Sequence, residues 1–333
     1  PCIPCGVASL RVRTANAEAR SRASRARGVH GLRAQDRVAR GPASDRCARS
    51  SGTSDSAHLS DAAGNDVRAG ARSFSDRRSA GSIAAMRRLL ALLLVLAPIA
   101  AGAAPPIPLA RASAEDRSRF TAALARLPAG WERTRAASEA FLGVPYASSP
   151  LGEGEGVDAD PRIRWDAVDC LTFVETSLAL GNGAGLDEAL ALLDDIRYRD
   201  GAAPAFDTRL HLMIAQWIPD QIRKGYLEEV TARFAETIPV RIEYDEDVWA
   251  ERPRALRALP WMPSLEGSFE LPTIPIARAQ AIAPTLPEGL VINVVRKARP
   301  DRMHRVTHTG FVVVKDGARF VRHASLGRKA VVD

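Results

Sequence analysis

Residues 308–323 read His308-Thr309-Gly310-Phe311-Val312-Val313-Val314-Lys315-Asp316-Gly317-Ala318-Arg319-Phe320-Val321-Arg322-His323. An Asp-Gly pair between two β-branched and aromatic runs predicts a two-residue hairpin, because a type I′ turn needs positive φ at both central positions. With Asp316-Gly317 as the turn, Lys315 faces Ala318, Val313 faces Phe320, Gly310 faces His323 and His308 faces Ser325. His308 and Gly310 are two residues apart and share a face, and His323 joins them there. The two histidines are then diagonal neighbours, roughly 7–8 Å apart at the backbone and within side-chain reach. Gly310 opposite His323 leaves room for an imidazole.

Outward from this hairpin, Leu290–Val295 reads as a preceding strand, so strands are expected at Leu290–Val295, His308–Lys315 and Ala318–His323. Val240-Arg241-Ile242-Glu243-Tyr244 alternates as a strand should, and repeated prolines from Arg252 to Pro287 are expected to interrupt any long element. Before Pro239 the pattern is helical. Ser113 and Asp116 form a capping box, followed by Phe120, Leu124 and Leu127 at helical spacing before Pro128. A second helix runs from Trp131 to Leu142, then a loop rich in Gly and acid, SSPLGEGEGVDAD. Leu171, Val174 and Leu178 mark a helix from Asp169 to Gly181. Leu186, Leu190 and Leu193 mark the next, and Leu210, Ile214, Trp217 and Ile218 another. Helices first and an antiparallel sheet last predict an α+β domain.

The chain has 333 residues and a formal charge of +7, from 46 Lys+Arg against 39 Asp+Glu. Taken whole, that balance describes a surface for nucleic acid or anionic membrane. Residues 1–85, however, hold 15 Arg, no Lys and 7 acidic residues, while the remainder holds 31 basic against 32 acidic. The excess belongs to one end. With no apolar period of either 3.6 or 2, residues 1–85 read as a disordered leader or spurious upstream sequence rather than a nucleic-acid arm. Met86-Arg87-Arg88, the apolar run Leu89–Ala97 and the small residues Ala101-Gly102-Ala103 have the layout of a secretory signal over 86–103, too short to span a bilayer. Cleavage after Ala103 leaves residues 104–333 as a single exported domain, periplasmic or secreted. A monomer is expected, with neither nucleic acid nor a stable membrane anchor among its partners. Four Cys are too few for a disulfide scaffold, and 46% apolar residues suffice for a core.

Cys170 is the one Cys of the expected mature chain. It follows Asp169, a good N-cap, so the thiol falls at the first helical position. There the positive helix end favours a thiolate and lowers its pKa, while the charge of Asp169 opposes this. A catalytic thiol also needs a His. The hairpin supplies His308 as base and His323 as the polar residue that orients it, a Cys-His-X triad. The alternative is a buried, inert thiol.

Leu142-Gly143-Val144-Pro145-Tyr146, Asp169-Cys170-Leu171-Thr172-Phe173, His308-Thr309-Gly310-Phe311 and Arg322-His323-Ala324-Ser325 resemble, in order, the L-G-x-P-Y, D-C-x-x-F, H-x-G and (I/V)-H-A motifs of the NlpC-type cell-wall cysteine peptidases and amidases. GEGEG before the Cys, DCLTFVE around it, IRYRDG and RLHLMIAQW resemble the N-acetylmuramoyl-L-alanine-amidase-like branch. The resemblance covers most of 142–333. It implies a papain-like α+β fold, with N-terminal helices, the nucleophile at a helix N-terminus, and an antiparallel sheet beneath. It implies Cys170 as nucleophile, His308 as base and His323 as orienting residue. The implied reaction is cleavage between N-acetylmuramic acid and L-Ala in peptidoglycan, through a thioester. An endopeptidase cutting γ-D-Glu–diamino acid bonds and a non-catalytic cell-wall binder are the alternatives.

Tyr146 resembles the family's loop Tyr near the nucleophile, or is a half-buried packing aromatic. Arg209 and His211 resemble the branch's R-x-H motif and are candidates to bind a substrate carboxylate, the alternative for His211 being a hydrogen bond to a neighbouring loop. Glu153 and Glu155 are candidates for sugar or peptide contacts, against plain exposure of an acid-rich Gly loop. His304 is expected to be solvated. No metal and no cofactor are expected, since the triad uses the His/Cys set and no H-x-x-x-H pair exists.

Overall fold

The computed structural model describes residues 4–13, 109–298 and 303–333, and the expected secretory segment 86–103 lies outside the described residues. Local chemistry sets the helices. The Ser113 hydroxyl accepts from the Asp116 N–H at 3.0 Å, and the Asp116 carboxylate accepts from the Ser113 N–H at 3.2 Å. That reciprocal cap opens α1, Ala114–Leu124. Then come α2 (Trp131–Ala140), α3 (Cys170–Asn182) and α4 (Leu186–Arg197). Helix α3 is buried at every position from Thr172 to Asn182, as a helix at the centre of a domain must be.

The strands are β1 (Pro4–Val12), β2 (Leu227–Glu229), β3 (Ile238–Tyr244), β4 (Gly267–Pro275), β5 (Leu290–Arg296), β6 (Val306–Lys315), β7 (Ala318–Ser325) and β8 (Ala330–Val332). They form one antiparallel sheet in the order β3-β4-β1-β5-β6-β7-β8, with β2 beside β1. The architecture is α+β. Phe173, Val174 and Leu178 of α3 share one core with Phe311 and Val313 of β6 and with Ala8 and Leu10 of β1. A second, smaller core of Val230, Leu290, Ile292 and Val312 lies on the opposite face. Among the described residues no helix is long and apolar enough to cross a membrane.

The hairpin turn is as expected, with φ 51° at Asp316 and 78° at Gly317. Its register holds from Lys315↔Ala318 to Phe311↔Arg322. Beyond that β7 leaves β6 and pairs with β8, Ser325 facing Ala330, so the expected pairing of His308 with Ser325 does not form.

Three further expectations are corrected. Residues 4–12, within the stretch read as a patternless leader, form β1 between β4 and β5. Their alternation is genuine: Ala8, Leu10 and Val12 are buried on one face. It is only nine residues long and vanishes in the average over 85. The proline-rich stretch contains β4, whose Pro272 faces Pro239 of β3, so two missing donors fall on one rung of the ladder. The apolar series from Leu210 to Ile218 is not one helix. Met213–Trp217 is a π-turn in which the N–H groups of Gln216 and Trp217 both donate to Leu212 O, and α5 (Ile218–Lys224) carries Pro219 as its second residue. Proline has no N–H to continue an α-helical ladder, which accounts for the widened turn.

Gly181 of α3 lies against Thr134 of α2, where an added Cβ would come within 2.8 Å of the Thr134 Cα, a backbone atom. Gly181→Ala should therefore destabilise by about 2–3 kcal/mol through overpacking, although Gly→Ala inside a helix ordinarily stabilises by roughly 0.5–1 kcal/mol. Urea unfolding of the two proteins measures the sign.

Candidate active site

Asp169 fixes the start of α3. Its Oδ1 accepts from the N–H groups of Leu171 (3.0 Å) and Thr172 (2.8 Å), and Thr172 Oγ1 accepts from the Asp169 N–H at 2.9 Å. The other carboxylate oxygen accepts from the Ser149 N–H at 3.1 Å, tying the preceding loop to the helix. Cys170 is left at the first helical position, partly buried and not in a disulfide. The N–H groups of Thr309, Leu171 and Cys170 itself favour its thiolate, but burial and the Asp169 charge prevail and push the thiol up to about 11. The expected lowering by the helix end is present but outweighed, because a thiolate removed from water loses more than those N–H groups return, and Asp169 opposes them as expected.

Thr309, whose N–H reaches the thiol, is the neighbour of His308. His308 Nε2 lies 2.6 Å from His323 Nδ1, with the ring planes at 87°. Gly310 makes this approach possible, since a Cβ there would sit 2.8 Å from the His323 Cβ. Burial, helped by the charges of His323 and Arg296, brings His308 down to about 4. Burial also lowers His323, which the Asp333 carboxylate opposes. Both rings are neutral at pH 7, so one proton joins them. Placed on His308 Nε2, it leaves His308 Nδ1 as an acceptor, the tautomer a thiol requires.

Tyr146 lies close to the thiol. It bridges Val168, next but one to Cys170, its N–H donates to Lys329 O at 2.9 Å, and burial and the charges of Cys170 and Asp169 raise its hydroxyl.

The sequence profile of the AmiA-like, N-acetylmuramoyl-L-alanine amidase-like family matches residues 136–333. The chain belongs to that family. Its fold is similar to that of a Legionella pneumophila protein of the DUF1460 family, at 20% identity over 66% of this chain and 85% of that one, with a TM-score of 0.56. An N-acetylmuramoyl-L-alanine amidase from Bacteroides uniformis is similar at 28% identity over 60% of this chain and 86% of its own, with a TM-score of 0.49. No curated protein matches.

The remaining candidates are held largely by one another and by the loops around them. Glu153 is buried, and its Oε1 accepts from Arg209 Nε at 2.8 Å and from the Tyr198 hydroxyl at 3.0 Å. Arg209 also donates to Asp158 Oδ2 at 2.9 Å, so its guanidinium is neutralised within the fold. His211 Nε2 donates to Phe206 O at 2.7 Å while its ring packs on Phe206, and burial brings it down to about 4. That is the loop hydrogen bond given as the alternative for this residue. Glu155 is exposed at the rim of a cavity of about 610 Å³ that Glu153, Phe206 and Asp207 also line. His304, expected in solvent, is half-buried close to His211. Among the described residues no group of three or more His, Cys, Asp or Glu is placed to hold a metal ion.

Sequence reasoning missed Glu175. It is buried one turn beyond Cys170, accepts from Trp217 Nε1 at 2.9 Å and lies 3.5 Å from Arg197 Nε. Arg197 donates to the carbonyls of Leu151 (3.2 Å) and Gly152 (3.4 Å), so the pair fastens the Gly-rich loop to the Cys170 helix. Burial raises Glu175 to about 7 against the pull of Arg197. The available signal was a single acid in the apolar run Phe173-Val174-Glu175.

Iodoacetamide should alkylate Cys170 of the folded protein more slowly at neutral pH than it alkylates free cysteine, with a rate that keeps climbing until the thiol ionises at about 11. A plateau already reached near neutrality would show a preformed thiolate.

Proposed function

We propose that this chain is a cysteine-dependent amide hydrolase of papain-like, NlpC type. It cleaves the N-acetylmuramoyl–L-Ala bond of muropeptides in the periplasm or outside the cell. The observation that carries the reading is the Cys170 thiol at a helix start beside the Thr309 N–H, with neighbouring His308 oriented by His323 at 2.6 Å. Membership of the amidase-like family supports the substrate.

At rest the thiol and imidazole are both neutral, so proton transfer accompanies attack. His308 Nδ1 takes the thiol proton as Sγ bonds to the lactyl carbonyl carbon. Asp169 occupies the N–H groups of Leu171, Thr172 and Phe173, which leaves the N–H of Cys170 itself to donate to the oxyanion. Collapse of the tetrahedral intermediate breaks the C–N bond. His308 returns the proton to the departing L-Ala amine, and a thioester remains on Cys170. Water, deprotonated by His308, hydrolyses that thioester and restores the thiol.

Digestion of defined muropeptides, followed by mass analysis, should release a peptide that begins with L-Ala. A fragment beginning at the diamino acid would instead identify an endopeptidase, and retention on cell wall without cleavage a binder. Cys170→Ala and His308→Ala should each lower kcat/KM by at least roughly a thousandfold. Because His308 is brought down to about 4, its base form is present above that pH, and activity should fall only as the pH drops through about 4.

A further inference from the structure

Arg296 ends β5 beside the catalytic pair. Val294 faces His308, and the ladder then slips so that Val295 faces Val306, leaving Thr307 as an extra residue in β6. Such bulges re-aim side chains near active sites. Here the bulge brings Thr307 Oγ1 to Arg296 Nε at 2.8 Å and fixes the guanidinium. The backbone is held as well, since the Arg296 N–H donates to Arg305 O at 2.9 Å and Arg305 Nε donates to Arg296 O at 2.7 Å.

Buried Arg197 and Arg322 and half-buried Arg209 are neutralised by carboxylates: Arg197 by Glu175, Arg209 by Glu153 and Asp158, Arg322 by Asp333. Arg133, also buried, donates to the carbonyls of Leu127 and Gly183. Arg296 is half-buried and close enough for its charge to act on His308, yet it forms no ion pair among the described residues, and its terminal nitrogens have no acceptor there. A fixed, half-desolvated fork with two free NH2 groups matches a carboxylate in bidentate geometry.

We propose that Arg296 binds a carboxylate on the peptide side of the substrate, the free α-carboxylate of the γ-linked D-Glu that follows L-Ala. The inference rests on the muropeptide reading above and adds the group that selects the stem peptide. A γ-linked Glu has its side-chain carboxyl in the peptide bond, so its α-carboxylate is the first anion beyond the scissile amide. Seating that anion on Arg296 also offsets the cation that disfavours protonation of His308, which strengthens the base when substrate is bound.

The test compares N-acetylmuramoyl-L-Ala-γ-D-Glu-diaminopimelate with the same compound amidated at the α-carboxyl of its Glu. Wild-type protein should show kcat/KM roughly ten- to a hundredfold higher for the acid. Arg296→Gln should bring the ratio close to one, and Arg296→Lys should keep part of it. In parallel, Cys170→Ala and Cys170→Ala/Arg296→Gln proteins are titrated calorimetrically with both compounds, so that binding is read without turnover. Equal wild-type rates on acid and amide, or an unchanged ratio in Arg296→Gln, overturns the role of Arg296 and leaves the hydrolase reading intact. Tighter binding of the acid that is lost with Arg296, but no cleavage of either compound by the wild type, overturns the hydrolase reading and upholds Arg296. No discrimination in binding and no cleavage overturns both.

Discussion

The edge of Phe173 on the ring of Phe311, centroids 5.6 Å apart and planes at 73°, sets the height of α3 over β6. Everything chemical follows from that height. Phe173 is three residues beyond Cys170, and Phe311 is two beyond Thr309, so a packing contact between the aromatics brings the helix start level with the strand that carries His308. Phe141 supports Phe173 from the far side, and Trp131 supports Phe311. The buried pair Glu175–Arg197 then ties the same helix to the loop at Leu151 and Gly152. The site is thus a consequence of core packing, with a rigid helix and a rigid strand as its two jaws.

That placement has an electrostatic consequence. A helix N-terminus stabilises a nearby anion by about 0.3–1 kcal/mol, and the thiol needs more than that to ionise where α3 puts it. Asp169 is part of the opposition, because the carboxylate that caps the helix stands next to the thiol it would otherwise help to expose. The same burial keeps both imidazoles neutral. A thiol kept neutral is also slow to oxidise, because oxidation proceeds through the thiolate.

What was legible in the sequence was local. Asp316-Gly317 imposes its own turn, and from it the diagonal placement of His308 and His323 could be counted out. Ser113 and Asp169 impose caps within three residues. The arrangements that escaped depend on distant partners. Arg209 looked free for a substrate carboxylate because Glu153 and Asp158, which neutralise it, lie about fifty residues upstream. Glu175 looked like a stray polar residue because Arg197 and Trp217 reach it only after the helices pack. The bulge at Thr307 that aims Arg296 arises where β5 and β6 slip, and no residue type announces it. β4 was hidden by prolines that the fold tolerates by stacking them on one rung.

β1 imposes a different burden, on the order of events during folding. Its Ser9 N–H donates to Thr231 Oγ1 at 2.8 Å, across 222 residues of chain, and its ladder with β5 joins Pro4 to Arg296. A contact of that sequence separation closes late, after nearer pairs have formed, and raises the contact order of the whole sheet. At a synthesis rate of roughly 5–20 residues per second, β1 emerges on the order of fifteen to sixty seconds before β5 exists. Until β2 and β4 follow, late in that interval, Ala8, Leu10 and Val12 have no strand to join. The gap between β4 and β5 is therefore filled by a strand made long before either of its neighbours.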